Sequence, residues 1–80
     1  MEIFKIRNKE GLYYKSCWVW NDSKTFYFHK KGKEFKTLKL ALKMMNDNKL
    51  KYPNDYEKFE LNLCEIVKFE TIEKETIKIE

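Results

Sequence analysis

The sequence predicts a single α+β domain: a small antiparallel β-sheet with one α-helix packed on one face. Three features lead to this. Residues 1–36 read as short strands punctuated by Asn, Asp and Gly turns. Residues 38–45 carry apolar side chains at helical spacing, and the last third returns to strand character. A chain of 80 residues is expected to form one domain spanning 1–80. At that size roughly 60% of the unfolded surface is buried on folding, so stability should be modest. Hydrophobic residues at 42%, with aromatics at 16%, supply a core despite 38% charged residues.

Ile3–Arg7 has the mix of a strand, with Phe4 and Ile6 on one face. Asn8-Lys9-Glu10-Gly11 then reads as a turn, with Asn first and Gly11 supplying the positive φ that closes it. In the β-rich run from Leu12 to Trp20, Leu12, Tyr14, Ser16, Trp18 and Trp20 share one parity, and Tyr13, Lys15, Cys17 and Val19 the other. Asn21–Lys24 is a second turn, and Thr25–His29 is the clearest strand, β-branched and aromatic. Lys30–Lys33 turns again, and Glu34–Lys36 is expected to add a short strand.

Thr37 is placed to cap a helix, its hydroxyl accepting from an orphan N–H of the first turn. Leu38, Ala41, Leu42 and Met45 follow at i, i+3, i+4 and i+7, so this stripe, widened by Leu40 and Met44, is expected to press into the sheet. Lys39, Lys43 and Asn46 would face outward, and the helix would end near Asn46–Asn48. Pro53 and its polar neighbours predict a loop. Leu61, Leu63, Val67 and Phe69 share one parity of a further strand, with Cys64 and Ile66 on the other. Residues 71–80 would be a final edge strand at Thr76–Ile79 or a loose tail. The sheet's second face should meet water.

The composition excludes several classes of function. Cys17, Cys64 and His29 are scattered, without the spacing of a zinc site, so no metal is expected. Gly11 and Gly32 are the only glycines and neither sits in a phosphate-binding loop, so no organic cofactor is expected either. Cys17 as a nucleophile would need a base beside it, and Glu57/Glu60 or Glu73/Glu75 are chance pairs in an acidic stretch. His29 reads as a structural or surface residue. No catalytic residue is expected, and the chain is read as a binder and not an enzyme. The start, Met1-Glu2-Ile3-Phe4-Lys5, turns charged at once, and no apolar run is long enough for a membrane span. A cytoplasmic protein with reduced thiols follows, although a Cys17–Cys64 disulfide stays geometrically open.

Charge is uneven. Residues 1–51 hold 13 basic and 5 acidic residues, a net +8, and residues 52–80 a net −4. Sixteen of the 17 basic residues are Lys, a usage that AT-rich coding also favours. The segment Lys24–Lys43 sets Lys30, Lys31, Lys33, Lys36, Lys39 and Lys43 among Phe26, Tyr27, Phe28 and Phe35. Cations neutralise phosphate and rings stack on bases, so these six lysines are the candidate contacts for single-stranded RNA or DNA, or for an acidic partner. The competing reading is solvated turn lysines beside core aromatics. A near absence of Arg argues against sequence-specific duplex readout. Trp18 and Trp20, on one face of a strand, are expected in the core; the alternative is a hot spot for protein contact. The acidic C-terminal part either complements the basic half within the fold or serves as a docking surface.

Ile6-Arg7-Asn8-Lys9-Glu10-Gly11-Leu12-Tyr13, the lysine-rich segment Phe28–Phe35, a short helix with Leu38 and Leu42, and a closing Cys64-Glu65-Ile66-Val67-Lys68-Phe69-Glu70 together resemble small accessory proteins of tailed bacteriophages. The likeness runs from about residue 3 to 70; the loop around Pro53 and the tail from Thr71 depart from it. It implies a non-catalytic product in the bacterial host cytoplasm. Such a product occupies a host protein or protein–RNA complex, such as a defence complex, a toxin or another host enzyme, and inhibits or modulates it. A stand-alone single-stranded nucleic-acid-binding module is the alternative. The oligomeric state is open.

Overall fold

The computed structural model describes residues 1–72 and 75–79, with side chains as far as Glu70. Five antiparallel strands form one sheet in the order β3-β2-β1-β4-β5. These are β1 (Glu2–Arg7), β2 (Tyr13–Trp20), β3 (Ser23–His29), β4 (Glu65–Ile72) and β5 (Glu75–Ile79). Helices α1 (Leu38–Lys51) and α2 (Pro53–Lys58), and a 3₁₀ turn at Leu61–Leu63, lie between β3 and β4. The α+β class is therefore as expected, and Glu75–Ile79 pairs with β4 as an edge strand.

Short-range chemistry sets the first two hairpins, β1–β2 and β2–β3. The Asn8 side chain accepts from the N–H groups of Glu10 and Leu12 at 3.0 and 2.9 Å, and Gly11 takes φ +85°. Asn21 and Asp22 both take positive φ, 47° and 63°, between the paired residues Trp20 and Ser23. This is the two-residue turn whose twist matches that of the flanking strands.

One irregularity redirects β2. Tyr14 pairs with Phe28, but Ser16 pairs with Tyr27, which leaves Lys15 as a bulge. An extra residue reverses the facing of all that follows it. Tyr14 thus turns toward the helices with Phe26 and Phe28, whereas Ser16, Trp18 and Trp20 point to the other side of the sheet. The single parity expected for Tyr14, Trp18 and Trp20 is broken at this point.

Beyond Tyr13, which pairs with Arg7, strands β1 and β2 part. Residues 33–35 enter the gap. The Lys33 N–H donates to the Tyr14 carbonyl at 2.6 Å, and Phe35 and Phe4 exchange two backbone bonds of 2.8 Å. The short strand expected at Glu34–Lys36 is this single bridge. It seats Phe35 in the core, stacked on Tyr14 at 6.3 Å between centroids.

Thr37 caps α1 as expected, its Oγ1 accepting from the Leu40 N–H at 3.1 Å. The helix passes the expected stop and runs to Lys51. Its buried side keeps Ala41, Met44 and Met45 of the expected stripe but not Leu38, Leu40 or Leu42. Ala41 and Asn48 are buried and Met44 and Met45 pack on the core, while Leu38 and Leu42 stay 46% and 43% exposed. Rotation of the helix follows from Asn48, which donates to the Met44 carbonyl at 2.7 Å and accepts from Lys24 Nζ, and so draws its own side of α1 toward β3. The loop expected at Pro53 is α2 instead, with Pro at the first turn, where its missing N–H costs nothing.

The core between helices and sheet contains Ile6, Tyr14, Phe26, Phe35, Ala41, Tyr56 and Leu61. Cys64 and Ile66 both pack against it, on the one side expected for the two of them. Leu61 and Leu63 are in the 3₁₀ turn and not in a strand; Leu61 is fully buried and Leu63 is exposed. The second face of the sheet is not wholly open, since Ile3 and Val67 are buried there. Tyr13 meets Phe69 edge to face at 5.8 Å, with the Lys5 ammonium 5.3 and 5.2 Å from the two ring centres.

Candidate functional site

After Tyr14, every residue of β2 from Lys15 to Trp20 is exposed. This half of the strand pairs only with β3, so it forms a two-stranded ribbon ending at Asn21-Asp22. β3 anchors the ribbon to the helices. The Lys24 N–H donates to Asp55 Oδ2 at 2.8 Å, the Lys24 ammonium lies over Phe26 and Tyr52, and Phe26 meets Phe59 at 5.7 Å. On the opposite side Trp18 and Trp20 are 61% and 67% exposed, and Tyr27 beside them is exposed too. Core placement of the two tryptophans is thus overturned, and the physical reason is the Lys15 bulge. Large rings held on a β-ribbon are what a protein contact uses, because they bury much area with few rotors to immobilise.

The six candidate lysines divide between two places. Lys30, Lys31 and Lys33 are exposed in the loop after β3. That loop is fixed to the sheet: the Lys31 carbonyl accepts from Lys5 Nζ at 2.6 Å, and the Lys31 N–H donates to His29 Nδ1 at 3.2 Å. Gly32, at φ +69°, sits where a Cβ would come within 2.3 Å of Tyr13 Cβ. Lys33 lies over the Phe35 ring at 5.3 Å. Lys36 leads into α1, and Lys39 and Lys43 stand on its outer surface. Among the described residues none of these six lysines forms an ion pair. The rings of the segment are not displayed with them: Phe26 and Phe35 are buried and Phe28 packs on the core, which leaves Tyr27.

The acidic C-terminal part does complement the basic half. Arg7 pairs with Glu65, and Lys9 with Glu60 at 2.7 Å. The hydrogen bonds it donates to Glu65 hold the Arg7 guanidinium above its usual pKa, with burial working against it, and Glu60 raises Lys9 in the same way. A third pair, Lys68–Glu2 at 2.8 Å, joins β4 to β1 with the charges reversed.

The two cysteines are free thiols in different settings. Cys17 is exposed on the ribbon, and Cys64 is half-buried against the core. Burial, helped by Glu60, pushes the Cys64 thiol up to about 11, so it is protonated and unreactive at neutral pH. His29 is engaged with its own turn, its Nδ1 accepting from the Lys31 N–H. Among the described residues no three His, Cys, Asp or Glu side chains converge to hold a metal ion, and no helix is long and apolar enough to cross a membrane.

No family model, curated protein or solved structure matches this chain. Its function has to be read from the exposed surfaces. Sequence reasoning found Trp18 and Trp20 only as an alternative, because one-residue bulges carry no reliable signature. It missed Leu38 and Leu42 as surface residues.

Proposed function

We propose that this chain is a non-catalytic binding module that engages a partner protein through the aromatic side of the β2–β3 ribbon. The observation that carries this reading is the exposure of Trp18 and Trp20 side by side on a supported two-stranded ribbon. Interface hot spots are enriched in Trp and Tyr, and solvent-facing rings of this size gain by being covered. The likeness to phage accessory proteins supports a bacterial host factor as the partner, held stoichiometrically in the host cytoplasm and inhibited or modulated by occupation. The loop lysines Lys30, Lys31 and Lys33 would meet acidic groups of that partner, or RNA carried by it. Free single-stranded nucleic acid on the Lys24–Lys43 segment is the weaker fit, because its Phe26, Phe28 and Phe35 are turned into the core and only Tyr27 is left there for stacking.

Affinity capture from bacterial lysate, with and without nuclease, tests this. The expected result is a retained protein that resists nuclease and is lost when Trp18 and Trp20 are both changed to Ala. Replacing Lys30, Lys31 and Lys33 by Ala should slow association and leave most of the affinity. Retention of RNA or single-stranded DNA alone, with log affinity falling by about 0.7 per neutralised phosphate against log salt, would overturn the protein-partner reading.

A further inference from the structure

The outer surface of α1 carries a second feature that the ribbon does not explain. Leu38, Leu42 and Asn46 form one row at i, i+4, i+8, and Lys39, Lys43 and Asp47 form the adjacent row. Between them runs a shallow apolar groove of about 640 Å³, lined by these six residues alone. Both leucines are more than two-fifths exposed, and nothing in the described fold covers them. Rows spaced by four residues are the ridges that helices present to one another, and the furrow between two such rows accepts a ridge of a second helix. One wall here is apolar and the other cationic.

From this we infer that the outer face of α1 docks an acidic amphipathic helix of a partner protein. An apolar row of that helix lies along Leu38 and Leu42, and its Glu or Asp residues face Lys39 and Lys43. Charge complementarity selects the sign, because among the described residues neither lysine is in an ion pair, and Asp47 is the only acidic residue of α1. The width of the apolar strip selects a helix over a lipid surface. An interfacial helix needs a broad apolar face turned outward with cations at its margins. On α1 the order is different: Lys39 and Lys43 stand in the middle of the outward side, with Leu38 and Leu42 on one flank, Leu40 on the other and Leu50 further along the helix, so no broad apolar face is presented. The inference is independent of the tryptophan ribbon, which is on β2 and β3.

The test uses the full chain and a fluorescein-labelled synthetic helix of about 20 residues, long enough to be helical, with Leu on one i, i+4 ridge and Glu beside it. Saturable binding by anisotropy is expected, with amide shifts at Leu38, Lys39, Leu42 and Lys43. K39E/K43E should weaken it at least ten-fold, K39Q/K43Q by several-fold, and W18A/W20A should not change it. A peptide with Lys in place of Glu should fail to bind. Circular dichroism should show the same fold for every variant, since the substituted lysines are solvent-facing. Equal binding to wild type and K39E/K43E, or none at millimolar peptide, would overturn the inference. So would binding of phosphatidylglycerol vesicles or of oligouridylate, rather than the peptide, that depends on Lys39 and Lys43.

Discussion

Tyr14 and Trp18 are four residues apart on one strand, both large and aromatic, and meet opposite environments. Tyr14 lies in the core among Phe26, Phe28 and Phe35, and burial raises its phenol well above the usual pKa. Trp18 and Trp20 stand in water. The residue type does not distinguish the two regions. They differ in the Lys15 bulge between them and in what lies across the sheet, helices for the first and nothing described for the second. Aromatic content is thus a poor guide to burial in a domain this small. Side chains that would be core in a larger protein are left over once one layer of helices has been packed, and those left over are the candidates for contact.

The largest expected effect separates these regions by stability. Ile6→Ala or Leu61→Ala removes a fully buried side chain and should cost about 2–5 kcal/mol, enough to unfold much of so small a protein. Trp18→Ala and Trp20→Ala should each change stability by no more than about 0.5 kcal/mol. Urea titration of the four variants decides this, and a large loss at either tryptophan would remove the contrast.

The loop that closes the junction should come next. Gly32→Ala combines a left-handed φ with a Cβ placed 2.3 Å from Tyr13 Cβ, so a loss of about 2 kcal/mol or more is expected. Gly11→Ala has a similar φ, +85°, but open space around it, and should cost about 1 kcal/mol. Thermal unfolding of the pair measures how much of the strain comes from packing against β2.

Leu42→Ala is a smaller test of the same idea on the helix. A core leucine would cost several kcal/mol, but with Leu42 at 43% exposure the expected loss is under about 1 kcal/mol. A core-sized loss in chemical denaturation would mean that α1 turns its expected stripe inward after all.

The smallest effect concerns the thiols. Iodoacetamide at neutral pH should modify Cys17 well before Cys64, as read by mass spectrometry of the peptides. Cys64 has its folded pKa raised from 9.0 to about 11. The folded state therefore holds the proton more tightly than the unfolded state. Its contribution is complete below about pH 9 and is lost as pH rises toward 11. Cys64→Ala should flatten that alkaline decline in stability.

The sequence by itself determined the class of fold, the turn at Asn8–Gly11, the place of a second turn within Asn21–Lys24 (though Ser23 and Lys24 already belong to β3), the Thr37 cap and the shared side of Phe4 with Ile6 and of Cys64 with Ile66. Each of these depends on neighbours within a few residues: a side chain that mimics a backbone acceptor, a residue that tolerates positive φ, or an unbroken period of two. The facing of Trp18 and Trp20, the rotation of α1 and the helix at Pro53–Lys58 were settled only by the tertiary structure. The bulge at Lys15 lies where residues 33–35 hydrogen-bond into the gap between β1 and β2, a contact roughly 20 residues away in sequence on one side and 30 on the other. Likewise α1 turns on Asn48 because Lys24 reaches it from another strand. Local periodicity marks which residues are apolar, but which apolar residues end up covered depends on long-range pairing, and here that leaves two tryptophans and a row of leucines on the surface.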